Sequence, residues 1–157
     1  GWPAMQNSPP TPCATACWPI EGMAALPENT RHAPLTVILI EDSPVLRQTL
    51  GARLDELAAV AVVGEAEDEN SALELLQRRQ PQLAILDLEL KTGSGFGVLR
   101  AICRAPERFG RPRAVVFSSH GNAVVRARCH ALGVERFFDK ASQFNDLLAY
   151  VRQAAPC

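Results

Sequence analysis

Leu35-Thr36-Val37-Ile38-Leu39-Ile40 is an unbroken apolar, partly β-branched run that stops abruptly at Glu41-Asp42. A run of that length and composition predicts a strand buried on both faces, the kind found in parallel sheets covered by helices. Ser43-Pro44 follows at once, an N-cap with proline in the first helical position. Leu46, Leu50, Leu54 and Leu57 then fall on one face of a helix.

The alternation continues to the end of the chain. Val60 to Gly64 reads as a second strand, and Ser71-x-x-Glu74 as a capping box whose helix ends near Gln80, before Pro81. Leu83 to Leu86 is a third strand, ending at Asp87. A loop from Gly93 to Gly97 leads into a helix carrying Val98, Leu99 and Ile102. Ala114 to Phe117 is a fourth strand. After Asn122 a helix runs to Leu132, with Gly133 just past its end. Phe137-Phe138 is a short fifth strand, and the last helix starts at Ser142 with Phe144, Leu147, Leu148 and Val151 on one face. Five strands alternating with five helices predict an α/β parallel sheet with right-handed crossovers.

Length and composition narrow the function. A chain of 157 residues builds one full-sized core but not two ordinary ones. Its net charge of -1 gives no basic excess for gripping phosphate backbones, so direct nucleic-acid binding is not expected. The apolar runs are far too short to span a membrane, so no membrane is expected either. Five unclustered cysteines suit reduced thiols in a cytoplasm better than a secreted disulfide framework, and Cys13-x-x-x-Cys17 lacks a second pair for a metal. Residues 1–33 hold Pro3, Pro9, Pro10, Pro12, Pro19 and Pro27 and both tryptophans, without periodicity. They read as a poorly ordered extension, with no signal-peptide pattern, preceding a domain of residues 34–157.

In open parallel sheets the ligand site lies beyond the carboxyl ends of the strands. Those ends carry Glu41 and Asp42, Asp87, Ser118 and Ser119, and Lys140. If the strand order is 2-1-3-4-5, strands 1, 3, 4 and 5 are neighbours and these residues converge. Three carboxylates in one cleft repel each other, and a hard divalent ion such as Mg²⁺ relieves the conflict. Lys140 adds a positive charge, Ser118 a hydroxyl, and a carboxylate can accept a phosphoryl group. The chemistry expected is a phosphoryl-aspartate site.

Residues 35 to about 155 resemble the receiver domain of two-component response regulators. The resemblance is carried by Glu41-Asp42, Asp87 in Leu-Ala-Ile-Leu-Asp-Leu, Ser118 in Val-Val-Phe-Ser, Lys140 in Phe-Phe-Asp-Lys, and Gly95 eight residues after Asp87. It implies a flavodoxin-like, doubly wound five-stranded sheet in the order 2-1-3-4-5. It implies Asp87 as phosphoacceptor and Asp42 as a direct Mg²⁺ ligand, with Glu41 helping through water and the backbone carbonyl of Glu89 completing the shell; Mn²⁺ could substitute. Lys140 would pair with Asp87 and its phosphoryl oxygens. Ser118 would hydrogen-bond the phosphoryl group, and Phe137 would turn inward when it does. The implied donor is a sensor histidine kinase or phosphotransfer protein, and the implied downstream target binds the face of helix 4, strand 5 and helix 5. The implied role is a signalling switch rather than a turnover enzyme; the alternative is an interaction module that never uses phosphate.

Two positions depart from the family's pattern. Lys91 replaces the proline common four residues after the acceptor, so a more mobile loop is expected over the site. Ala141 replaces the proline usual after the lysine, which leaves the geometry of that loop open. His120 reads as a loop histidine at the site rim. Glu65, Glu67, Asp68 and Glu69 read as a solvated acidic loop, and the arginines at 100, 104, 108, 111 and 113 as a basic surface.

Overall fold

The computed structural model describes residues 33–156, so all but the last residue of the proline-rich segment 1–33 lies outside the described residues. In chain order the elements are β1 (Leu35–Ile40), α1 (Pro44–Asp55), β2 (Val60–Ala66), α2 (Glu69–Arg79), β3 (Leu83–Leu86), α3 (Gly95–Arg104), a 3₁₀ turn (Pro106–Phe109), β4 (Arg113–Ser118), α4 (Ala123–Ala131), β5 (Arg136–Asp139) and α5 (Phe144–Ala154). The strands form one sheet, β2-β1-β3-β4-β5, and every pairing is parallel. This is the doubly wound, flavodoxin-like arrangement expected. Among the described residues no helix is long and apolar enough to cross a membrane.

Alternation along the strands divides the core in two. Ile38, Ile40, Ala84, Leu86 and Val116 face one side and pack with residues of α2 and α3 such as Leu76, Val98 and Leu99. Val37, Leu39, Leu83, Ile85, Val115 and Phe117 face the other and pack with Leu50 and Leu54 of α1 and Leu147 and Val151 of α5. Both faces of the sheet are therefore dry, which explains why its strands read as continuous apolar runs.

Ser43 caps its helix as expected, accepting from the Leu46 amide at 3.3 Å, and Asn122 caps α4, accepting from the Val125 amide at 2.9 Å. Gly133 takes a φ of +89°, a conformation that only glycine adopts without strain. Three local readings are corrected. Helix α2 is capped by Asp68, not Ser71: Asp68 Oδ1 accepts from the Ser71 amide at 2.8 Å and from its hydroxyl at 2.7 Å. Strand β2 runs two residues further and bulges, because Val37 pairs with Val62 but Ile38 pairs with Gly64, leaving Val63 extra. Helix α5 begins at Phe144 rather than Ser142, because the Ser142 and Gln143 amides are used in a turn onto the Asp139 carbonyl, at 3.3 and 2.8 Å.

Helix α5 closes on β5 through Phe138 and Tyr150, whose ring centroids lie 5.8 Å apart. The Tyr150 hydroxyl donates to Glu135 and accepts from Arg113 Nη2, the latter at 3.0 Å. Burial, aided by the Glu135 bond, pushes the phenol from 10.0 up to about 12. A raised phenol pKa stabilises the fold fully below about pH 10 and loses that contribution as pH rises through about 12. Urea titrations across this window are expected to show a smaller loss of stability in Tyr150→Phe than in the wild type. Parallel curves would exclude the raised phenol pKa as the source of that loss.

Candidate functional site

The strand tips bring the expected residues together. Glu41 directly follows β1 and Asp87 directly follows β3, and both are buried, at 4% and 5% exposure. Lys140, one residue past β5, reaches between them: its Nζ donates to Asp87 Oδ2 at 2.7 Å and to Glu41 Oε1 at 2.9 Å. Glu41 Oε2 also accepts from the Ser43 amide at 3.0 Å, and Asp87 Oδ1 accepts from the Glu89 amide at 3.3 Å. Asp42 completes the group, with one oxygen from each of the three carboxylates lying within 4.8 Å of the others.

Among the described residues, one ammonium thus bonds two of three clustered carboxylates. Burial pushes the Glu41 carboxyl above its ordinary value, and the Lys140 and Ser43 bonds offset this only in part. Burial works against the Lys140 charge, but its bonds to Asp87 and Glu41 prevail and hold the ammonium above its usual value. The site is short of positive charge. Its donor set of carboxylate oxygens with a half-buried Asp42 is the chemistry of a hard divalent cation, so these residues fit Mg²⁺.

Ser118 ends β4, fully buried, and its hydroxyl accepts from the His120 amide at 3.2 Å. Its carbonyl accepts from the Lys140 amide at 3.1 Å, which ties the β4 and β5 tips. Phe137 lies half-buried in β5. His120 Nε2 stands 3.5 Å from Glu89 Oε2 across the mouth of the cleft. After Lys140, the Ala141 amide donates to Asp139 Oδ1 at 2.7 Å, so an aspartate shapes the turn.

The loop over the site, where Lys91 stands in place of a proline, is hydrogen-bonded to the loop that faces it. The Lys91 amide donates to the Glu67 carbonyl at 3.1 Å, and the Glu69 amide to the Thr92 carbonyl at 3.0 Å. Glu69 Oε1 accepts from the Ser94 amide at 3.0 Å, and Ser94 pairs with Glu89 in an isolated bridge. Gly97 leaves room for that carboxylate, since a Cβ there would overlap it. Gly95 passes so close to β3 that its Cβ would meet the Asp87 carbonyl and stand 2.8 Å from Leu88 Cα. The acidic stretch is partly solvated, as expected, but it also makes structural contacts: exposed Glu65 pairs with Arg47 at 3.3 Å, Asp68 caps α2, and the Glu67 carbonyl and Glu69 bond the opposite loop. Arg47, also unforeseen, donates from Nη1 to the Glu41 carbonyl at 2.6 Å. The arginine surface is partly engaged, with Arg113 on Glu135 at 2.9 Å.

Comparison with known proteins bears on the family and the fold. The nitrate/nitrite response regulator protein NarL of Escherichia coli is 32% identical over 128 residues, covering 80% of this chain and 57% of that protein. A protein-glutamate methylesterase/protein-glutamine glutaminase of Symbiobacterium thermophilum is 35% identical over 112 residues, covering 69% of this chain and 30% of that protein. The chain thus spans little more than half, or less, of these relatives' length. The signal receiver domain of the putative response regulator NarL from Mycobacterium tuberculosis superposes with a TM-score of 0.70 at 27% identity, covering 78% of this chain and 97% of that one. The model of the response regulator receiver domain matches residues 37–152, every strand-end residue of the site among them. With sheet order and sequence in agreement, the chain belongs to the response regulator receiver domain family.

Proposed function

We propose that this receiver domain takes a phosphoryl group on Asp87 in a Mg²⁺-dependent reaction and so switches the binding of a partner. The observation that carries the reading is Lys140 joined to both Asp87 and Glu41, with Asp42 beside them. A sensor histidine kinase or phosphotransfer protein is the donor. An Asp87 carboxylate oxygen forms the new O–P bond as the P–N bond to the donor's imidazole breaks; that electron pair returns to the nitrogen, and the product is an acyl phosphate.

Bound at Asp42, Asp87 and the Glu89 carbonyl, with Glu41 behind, Mg²⁺ would neutralise charge on the transferring group. Lys140 orients Asp87 and then pairs with a phosphoryl oxygen. Ser118 leaves the His120 amide for another phosphoryl oxygen, and Phe137 turns inward. That movement shifts an existing equilibrium at the face of α4, β5 and α5, where the downstream protein binds. The domain takes part in its own modification and is not a turnover enzyme.

Intact mass after incubation with acetyl phosphate and Mg²⁺ tests the reading. The wild type is expected to gain one phosphoryl group, and chelation of the metal to prevent it. No gain, together with no Mg²⁺ binding, would leave the phosphate-independent interaction module in its place. The loop clamp makes a further expectation. Glu69→Ala is expected to weaken Mg²⁺ binding about tenfold by releasing Ser94 and, through it, the Glu89 carbonyl. Calorimetric titration with Mg²⁺ checks this, and an unchanged affinity would exclude the clamp from the site.

A further inference from the structure

Phe137 lies under the guanidinium of Arg126, whose Cζ stands 4.3 Å from the ring centroid. The same guanidinium donates its Nε–H to the Gly121 carbonyl at 2.7 Å. Gly121 belongs to the loop between β4 and α4, and a Cβ on it would stand 2.7 Å from Phe137 Cε1, so the ring fills the place of a side chain there. One residue earlier in that loop, the His120 amide donates to the Ser118 hydroxyl. Contacts therefore run without a gap from the Ser118 hydroxyl to the His120 amide, the Gly121 carbonyl, the Arg126 guanidinium and the Phe137 ring.

We propose that Arg126 is a positioning residue that latches Phe137 in its present place and ties its release to the Ser118 hydroxyl. The proposal rests on the function given above, in which Ser118 turns to a phosphoryl oxygen on Asp87. When it turns, the His120 amide loses its acceptor and the loop shifts. The Gly121 carbonyl then leaves Arg126, and the guanidinium no longer clasps the ring. A cation held over an aromatic face by a second, directional bond stabilises one ring position over others. Arg126 is exposed, so its removal leaves the core untouched.

The test places 4-fluorophenylalanine at position 137 and follows its ¹⁹F resonance with and without acetyl phosphate and Mg²⁺, while intact mass gives phosphoryl occupancy. In Arg126→Ala before phosphorylation, the resonance is expected to move part way toward its phosphorylated position. That corresponds to a rise of about two- to fivefold in the inward population. Arg126→Lys, which keeps the charge but not the planar fork, is expected to fall between the two. A resonance in Arg126→Ala identical to the wild type in both states overturns the latch, as does a wild-type resonance that ignores phosphorylation. A wild type that takes no phosphoryl group overturns the underlying function instead, and mass separates the two failures.

Discussion

Asp87→Asn is expected to abolish phosphoryl uptake from acetyl phosphate while leaving the domain folded. The carboxamide keeps the shape of the side chain but loses the anionic oxygen that forms the O–P bond. It also reduces three converging carboxylates to two, so Lys140 remains paired with Glu41 and no buried charge is left alone. The variant should therefore melt no lower than the wild type, since the charge removed was one of the two that compete for a single ammonium. Mass spectrometry reads the uptake and thermal unfolding reads the fold. A phosphoryl group found on Asp87→Asn would move the acceptor to another side chain, with Asp42 and Glu41 the neighbouring carboxylates.

Lys140→Met is expected to do the reverse and destabilise the domain strongly. Methionine matches much of the lysine stem in size, so packing changes little and the loss is one of charge. Two carboxylates at 4% and 5% exposure would lose the cation that stands 2.9 and 2.7 Å from them. Stranding buried charges in this way costs on the order of 3 kcal/mol. In a domain of this size that lowers Tm by roughly 10 °C. Mg²⁺ should restore more stability to this variant than to the wild type, because it supplies the charge the lysine no longer does. Equal melting temperatures without metal would show that Lys140 does not hold the carboxylates together.

Much of this was legible in the residues themselves. Strands buried on both faces must be continuous apolar runs, so β1, β3 and β4 announced themselves, and the polar residue that ends each run was bound to lie at the sheet's carboxyl edge. Glu41, Asp87, Ser118 and Lys140 were found by that rule, and the order β2-β1-β3-β4-β5 brought them together. Local competition was harder to read. Asp68-Glu69-Asn70-Ser71 offers two overlapping caps, and Asp68 prevails because its carboxylate takes both the Ser71 amide and hydroxyl. Contacts between distant residues left no trace in any local pattern. Glu69 meets Ser94 25 positions away, and Arg126 meets Phe137 only through the packing of α4 on β5. The loop over the site was read from one missing proline alone, and its hydrogen-bond partners lie in the loop between β2 and α2.

The bulge at Val63 has a bearing beyond register. Among the described residues strand β2 is the outer strand on its side of the sheet, and a strand in that position offers peptide groups as a template to an extended chain. The composition of β2 makes it inviting, since Val60, Ala61, Val62 and Val63 follow one another without a charge. An inserted residue breaks the regular spacing of donors and acceptors midway, so a foreign strand in register with Val60 to Val62 falls out of register beyond them. At the opposite margin β5 spans only four residues, flanked by Glu135 and Lys140. Among the described residues, the irregularity at one margin and the shortness of the other limit the length of regular edge on which a further strand could pair.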